Sequence, residues 1–252
     1  MTTERVTIGN ATLYLGDCRD IIVDLQFDSI VTDPPYGLAK LLNRSWDAFG
    51  KIWNKKQRCK NLHSGGTWAA KDIYKDIDWD DEAPDLTFLL KRNVRMMIFG
   101  GNYFVLPPSR KWIIWDKGAP FYRRSFAEVE MCYCSFDGNA RKIECLPESM
   151  GFGRAMRLPK VHPTQKPVAV MQYCISELPK GHGNIVCDPY MGSGTTGVAC
   201  VRMDRAFVGI ERKRKYFDIA CQRIRQAYAK YENQFPEVRE SIETKKLFEG
   251  DH

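Results

Sequence analysis

The stretch Val186-Cys187-Asp188-Pro189-Tyr190-Met191-Gly192-Ser193-Gly194-Thr195-Thr196 decides the fold. An apolar strand over Asn184–Cys187 ends in an acid, turns through Gly-x-Gly and opens a helix, Thr195–Met203, whose start is rich in threonine. A second strand, Ala206–Ile210, follows and ends at Glu211. Strand, crossover helix and strand make a parallel pair, and in open α/β sheets ligands bind outside the carboxyl ends of such strands. Glycines there let a ligand approach the backbone, a helix N-terminus favours a carboxylate or phosphate, and Glu211 is placed to accept from ribose hydroxyls. Gly192, Gly194 and Gly197 also satisfy the Gly-x-Gly-x-x-Gly spacing, so the glycines alone leave a nicotinamide dinucleotide open.

Outward from this loop, strands alternate with helices. Downstream, Lys213–Tyr231 is a long amphipathic helix, followed by a polar tail over residues 232–252. Upstream, the sequence predicts a hairpin over Thr7–Leu15 and a helical stretch from Gly16-Asp17-Cys18 to near Leu25. It then predicts a strand over Phe27–Thr32, a helix over Asp85–Asn93, and strands over Arg95–Phe99, Lys111–Trp115 and Ala127–Phe136. A helix over Lys166–Leu178 completes the set. The sum is an α/β sandwich around a mainly parallel sheet, with residues 1–252 read as a single domain.

Two stretches interrupt the pattern. Residues 38–84 form a charged insertion: Lys40 to Lys60 carries seven basic residues (Lys40, Arg44, Lys51, Lys55, Lys56, Arg58, Lys60) against Asp47, with Trp46, Phe49 and Trp53 interleaved. Lys71 to Asp85 then swings to seven acids against two lysines. Residues 137–161 form a second irregular stretch, with Gly151-Phe152-Gly153 and several basic residues, Arg154 among them.

A formal charge of +7 leans toward a polyanionic partner. Met1 to Arg5 has no apolar core of the kind a signal peptide needs, and no apolar run reaches a membrane span. Nine scattered cysteines suggest reduced thiols and a cytoplasmic setting. Strand alternation puts Cys132 and Cys134 on one buried sheet face rather than in a metal site, and the four histidines lack ligand spacing; no metal is expected.

A second loop carries chemistry. Phe27–Thr32 runs straight into Asp33-Pro34-Pro35-Tyr36, where two prolines end the strand and stiffen the turn. An exocyclic amino group on a base is a poor nucleophile, because its lone pair is delocalised into the ring. Two acceptors that bind its N–H groups localise that pair toward an incoming methyl. Asp33 supplies a carboxylate and the Pro34 carbonyl the second acceptor, both preorganised by the prolines. Tyr36 offers a face to an unstacked base.

With both loops in hand, the sequence resembles the amino-group DNA methyltransferases, in the circularly permuted (beta) class whose catalytic motif precedes the cofactor motif. Asp33-Pro34-Pro35-Tyr36 matches the catalytic motif, and Asp188 to Thr196 the cofactor loop, with Tyr190 where phenylalanine is more usual. His162-Pro163-Thr164-Gln165-Lys166-Pro167 is similar to the lead into the helix that holds the cofactor's methionine end. The resemblance implies an S-adenosylmethionine-dependent methyltransferase (Rossmann-like) fold, with a seven-stranded sheet, one strand antiparallel, flanked by helices. It implies catalysis by Asp33, Pro34, Pro35 and Tyr36. It implies a cofactor pocket of Asp17, Cys18, Asp188, Tyr190, Gly192, Ser193, Gly194, Thr195, Thr196 and Glu211, with Thr164, Gln165 and Lys166 near the cofactor's carboxylate. The expected partner is double-stranded DNA and the favoured target adenine N6. Cytosine N4 is the alternative, and a catalytically inactive DNA-binding relative or an NAD enzyme are further readings. A homodimer or a cognate nuclease would be compatible with this class. Target recognition falls on residues 137–161, and Arg44, Lys51, Lys55, Lys56, Arg58, Lys60 and Arg154 are the candidate DNA contacts.

Overall fold

The first strands of the chain pair as expected. Glu4–Ile8 (β1) and Ala11–Leu15 (β2) form an antiparallel hairpin through Gly9. The computed structural model describes residues 4–38, 80, 82–122, 127–147 and 165–234. The short helix α1 (Cys18–Ile21) follows, then β3 (Ser29–Thr32), α2 (Thr87–Leu90) and β4 (Arg95–Phe99). Next come β5 (Trp112–Asp116), β6 (Val129–Cys134) and β7 (Arg141–Glu144). The chain closes with α3 (Val168–Ser176), β8 (Ile185–Asp188), α4 (Thr195–Arg202), β9 (Ala206–Glu211) and α5 (Arg214–Gln234).

The strands form one sheet in the order β1-β2-β9-β8-β3-β4-β6-β5-β7. The run from β2 through β4 is parallel, and β5 and β7 point the same way; β1 and β6 run against them. The expected seven strands with one antiparallel member are the span from β2 to β5, with β6 reversed. The sheet is wider than expected, because β1 and β7 extend its two edges. β7 lies in the stretch read as irregular: Arg141-Lys142-Ile143-Glu144 carries one apolar residue, too little for a strand signal, and pairing with β5 supplies the order. Two further boundaries move. The helix expected over Asp85–Asn93 is the single turn α2, with Asp85 accepting from the Thr87 N–H at 2.9 Å. The last helix runs to Gln234, three residues into the expected tail.

Alternation along the central strands explains the layering. Val31, Met97, Phe99, Cys132, Cys134 and Val186 face one apolar layer with α3, α4 and α5. Their neighbours Ile30, Met96, Ile98, Tyr133 and Cys187 face the other, with α1 and α2. Residues i and i+2 share a face in a strand, so each buried strand feeds two cores. Cys132 and Cys134 lie on one fully buried face, as the sequence predicts. Phe217, Ala220, Cys221, Ile224 and Ala227 give α5 one apolar stripe at helical spacing. No helix among the described residues is long and apolar enough to cross a membrane.

One topological fact positions the site. β8 connects to β9 on one side and β3 to β4 on the other, while β8 and β3 are neighbours. The chain therefore leaves the carboxyl ends of β3 and β8 in opposite directions, opening a crevice where open α/β sheets bind ligands.

Candidate active site

The crevice is a cavity of about 1280 Å³ lined by both loops. Asp17, Cys18, Asp33, Pro34, Pro35, Tyr36, Gln165, Lys166, Asp188, Tyr190, Gly192, Ser193, Thr195, Thr196 and Glu211 all border it. Gly194 stands behind the wall as the cap of α4, at φ +77°, where a β-carbon would lie 2.9 Å from Ala220. Thr164, Arg154 and the basic residues 44, 51, 55, 56, 58 and 60 lie outside the described residues, as does most of the candidate recognition stretch.

Asp188 ties the two halves together. Its buried carboxylate accepts from Thr32 Oγ1 at 2.6 Å, Thr196 Oγ1 at 2.5 Å and the Tyr190 N–H at 3.1 Å. Thr32 is the last residue of β3, so the bond spans the crevice floor. Burial pushes the Asp188 carboxyl up to about 6, against the pull of those three donors.

At the glycine-loop end, Glu211 accepts from the Gly192 N–H at 3.0 Å and the Lys213 N–H at 2.7 Å. The acid expected to meet a ribose therefore also shapes the glycine turn. Each of its oxygens carries a second lone pair, so both roles are compatible. Asp17 caps α1 and is gripped by Arg19 through its backbone N–H, Nε and Nη2, at 2.9, 3.0 and 2.6 Å. The Tyr190 hydroxyl and Cys18 thiol interact across the pocket wall, and burial pushes the Cys18 thiol up to about 11.

At the other end, Asp33 Oδ1 accepts from the Tyr36 hydroxyl at 2.6 Å and Oδ2 from Lys166 Nζ at 2.5 Å. Lys166 also meets Glu130 Oε2 at 3.0 Å, and Glu130 Oε1 meets Lys117 at 2.8 Å. The resemblance puts Lys166 near a cofactor carboxylate; in the protein it borders the cavity with its side chain 5% exposed, between two protein carboxylates where a buried cation finds its counter-charge. Burial would raise Glu130, but Lys166 and Lys117 outweigh it and pull it down to about 2.

The Tyr36 ring borders the cavity. It stacks on Tyr103 with centroids 5.0 Å apart and planes 23° from parallel, and Phe104 meets it edge-on. Behind it, Gly100 ends β4 at φ +65°, and a β-carbon there would lie 2.2 Å from the Tyr36 ring. Gly100→Ala should therefore cost about 1–3 kcal/mol and push the tyrosine out of place. Gly181→Ala is the control, since Gly181 has φ +81° with nothing near its β-carbon. Thermal melts should show the larger loss at Gly100; equal losses would mean backbone strain alone and no clash.

Sequence reading missed Glu130, Lys117, Tyr103 and Asp80. Glu130 is the second residue of the reversed strand β6 and Lys117 follows β5, so both reach the Asp33 end of the cavity through strand pairing that no local pattern announces. Asp80, near the end of the charged insertion, accepts from the Gly37 N–H at 2.7 Å and so steadies the end of the Asp33 loop.

The chain is similar to known DNA methyltransferases. A family model described as DNA methylase matches residues 137–222. The chain is 26% identical to the Type II methyltransferase M2.MboI of Moraxella bovis, over 92% of this chain and 94% of that protein. It is 25% identical to the Type II methyltransferase M.HinfI of Haemophilus influenzae, over 85% of this chain and 68% of that protein. Among solved structures, it is similar to an M1.HpyAVI–SAM complex (22% identity, TM-score 0.46, 85% of this chain and 99% of that one). It is also similar to the cytosine-N4-specific PvuII DNA methyltransferase (16% identity, TM-score 0.48, 90% and 94%). The family match and the two curated relatives support a DNA methyltransferase of the amino-group class.

Proposed function

We propose that this chain transfers a methyl group from S-adenosylmethionine to N6 of an adenine flipped out of double-stranded DNA. One observation carries the proposal: a single cavity holds the Asp33 loop at one end and the glycine loop with Glu211 at the other, joined by the Thr32–Asp188 bond. The cavity exceeds the usual range for one small ligand, roughly 300–1,000 Å³, and so has room for a cofactor and a base together. Acceptors suited to ribose and adenine (Glu211, Asp17) and the open glycine turn fit the cofactor at its end. The cofactor supplies an electrophilic methyl on a sulfonium.

The protein's part is placement. Asp33 and the Pro34 carbonyl take the amino N–H groups, and Tyr36 with Tyr103 forms the aromatic wall against the base. Tyr190 keeps an aromatic ring in the cofactor loop. Catalytic loop before cofactor loop is the permuted order, and the basic, aromatic insertion is proposed to share DNA contact with residues 137–161. Adenine is favoured because an aspartate, not a serine, opens the catalytic motif.

Incubating the protein with DNA and radiolabelled cofactor, then digesting to nucleosides, should yield labelled N6-methyl-2′-deoxyadenosine. Labelled N4-methyl-2′-deoxycytidine would move the target, and no label would remove the activity.

A further inference from the structure

Lys166 has more partners than charge balance requires. Asp33 and Glu130 flank it at 2.5 and 3.0 Å, and Glu130 holds a second cation, Lys117, at 2.8 Å. Two lysines and two carboxylates make a neutral cluster, so shifting Lys166 between its carboxylates changes no net buried charge. In the proposed reaction Asp33 must accept from the amine, and its two oxygens also hold Tyr36 and Lys166. A lone pair is free on each oxygen, but the ammonium draws on the carboxylate's charge and makes it a weaker acceptor, so the amine is held best when Lys166 leans away. Lys166 has little access to water although it borders the cavity: its side chain is 5% exposed, with the rings of Phe99 and Tyr36 5.2 and 5.6 Å from its ammonium. Glu130 is the partner it can keep.

We propose that Glu130 is a positioning residue that takes over Lys166 while Asp33 engages the substrate amine, and that Lys117 sets how strongly it does so. This rests on the methyltransferase reading. The cluster is assembled from four elements: Asp33 after β3, Lys117 after β5, Glu130 second in the reversed strand β6, and Lys166 before α3. Asp33 also faces the Tyr36 hydroxyl from its own loop and Asp188 from β8, and the buried Cys132 thiol lies near Tyr36. Burial raises the Asp33 carboxyl, Lys166 lowers it and Glu130 raises it again.

The pH profile of methyl transfer tests the idea. In Glu130→Gln, Lys166 keeps one ionic partner, Asp33, and competes with the amine. The kcat should fall roughly 10- to 100-fold with the cofactor's KM unchanged, while the acid limb of kcat/KM moves to lower pH. Lys117→Gln should move that limb to higher pH, because Glu130 without its own lysine draws Lys166 away from Asp33. Lys117 is 12% exposed and gives a second test if the glutamate variant folds poorly. Glu130→Asp, which keeps the charge, should restore much of the wild-type profile. Limbs that stay put, or move the same way in both variants, would overturn the positioning role. A wild-type protein that transfers no methyl would instead overturn the methyltransferase reading, so the two failures are distinct.

Discussion

Asp33→Ala is expected to lower methyl transfer by at least about 10²- to 10³-fold while leaving cofactor affinity close to wild type. Removing one preorganised partner of a reacting group has that order of effect. Here the carboxylate also fixes the Tyr36 hydroxyl at 2.6 Å, so the aromatic wall loosens with it. Lys166 keeps Glu130, so the variant is not left with a bare buried charge and should fold. The cofactor end, with Glu211 bonded to Gly192 and Lys213, lies outside the change. Single-turnover assays and calorimetric titration with S-adenosylhomocysteine check the two halves separately. Methylation at the wild-type rate would remove Asp33 from the chemistry.

Asp188→Ala should cost stability instead. Two buried hydroxyls and one N–H lose their acceptor, at about 1–3 kcal/mol for each group left unsatisfied, partly offset by no longer burying a carboxylate. A net loss of about 2–4 kcal/mol corresponds to a Tm lower by roughly 5–15 °C in a chain of this size. Cofactor affinity should fall with it, because Thr196 and Tyr190 line the pocket. The pH dependence has a definite sign. The Asp188 carboxyl sits at about 6 in the folded chain, above its ordinary 3.8, so folding takes up a proton between these values. That contribution is fully present below the ordinary value and is lost as pH rises through about 6. The Tm gap between wild type and Asp188→Asn should therefore widen from pH 7 to pH 5. A gap that narrows would show that the three donors, not burial, control this group.

The loops were legible because each is local. Asp33-Pro34-Pro35-Tyr36 and Asp188 to Thr196 declare a strand end, a turn and a helix start within a dozen residues, and the order of elements followed from apolar spacing. What escaped was made by pairing at a distance. Glu130 reads as one acid on a strand, and only the reversal of β6 between β4 and β5 brings it to the Asp33 end of the cavity. Lys166 belongs to a segment that signals a cofactor contact, and nothing in that segment announces its burial beside two protein carboxylates. Tyr103 sits in a single 3-10 turn with no periodicity to mark it. Edge strand β7 has too few apolar residues to be seen before its partner is known.

The Thr32–Asp188 bond joins residues 156 positions apart in the chain at the floor of one crevice. Its donor ends the strand that leads into the Asp33 loop, and its acceptor opens the glycine loop. The two halves of the cavity thus share a wall, and occupancy of one can change the free energy of filling the other. Any such coupling must be reciprocal: the factor by which cofactor alters affinity for DNA is the factor by which DNA alters affinity for cofactor. Order of binding then becomes a matter of concentrations and rates, with both routes around the thermodynamic cycle closing on the same ternary complex.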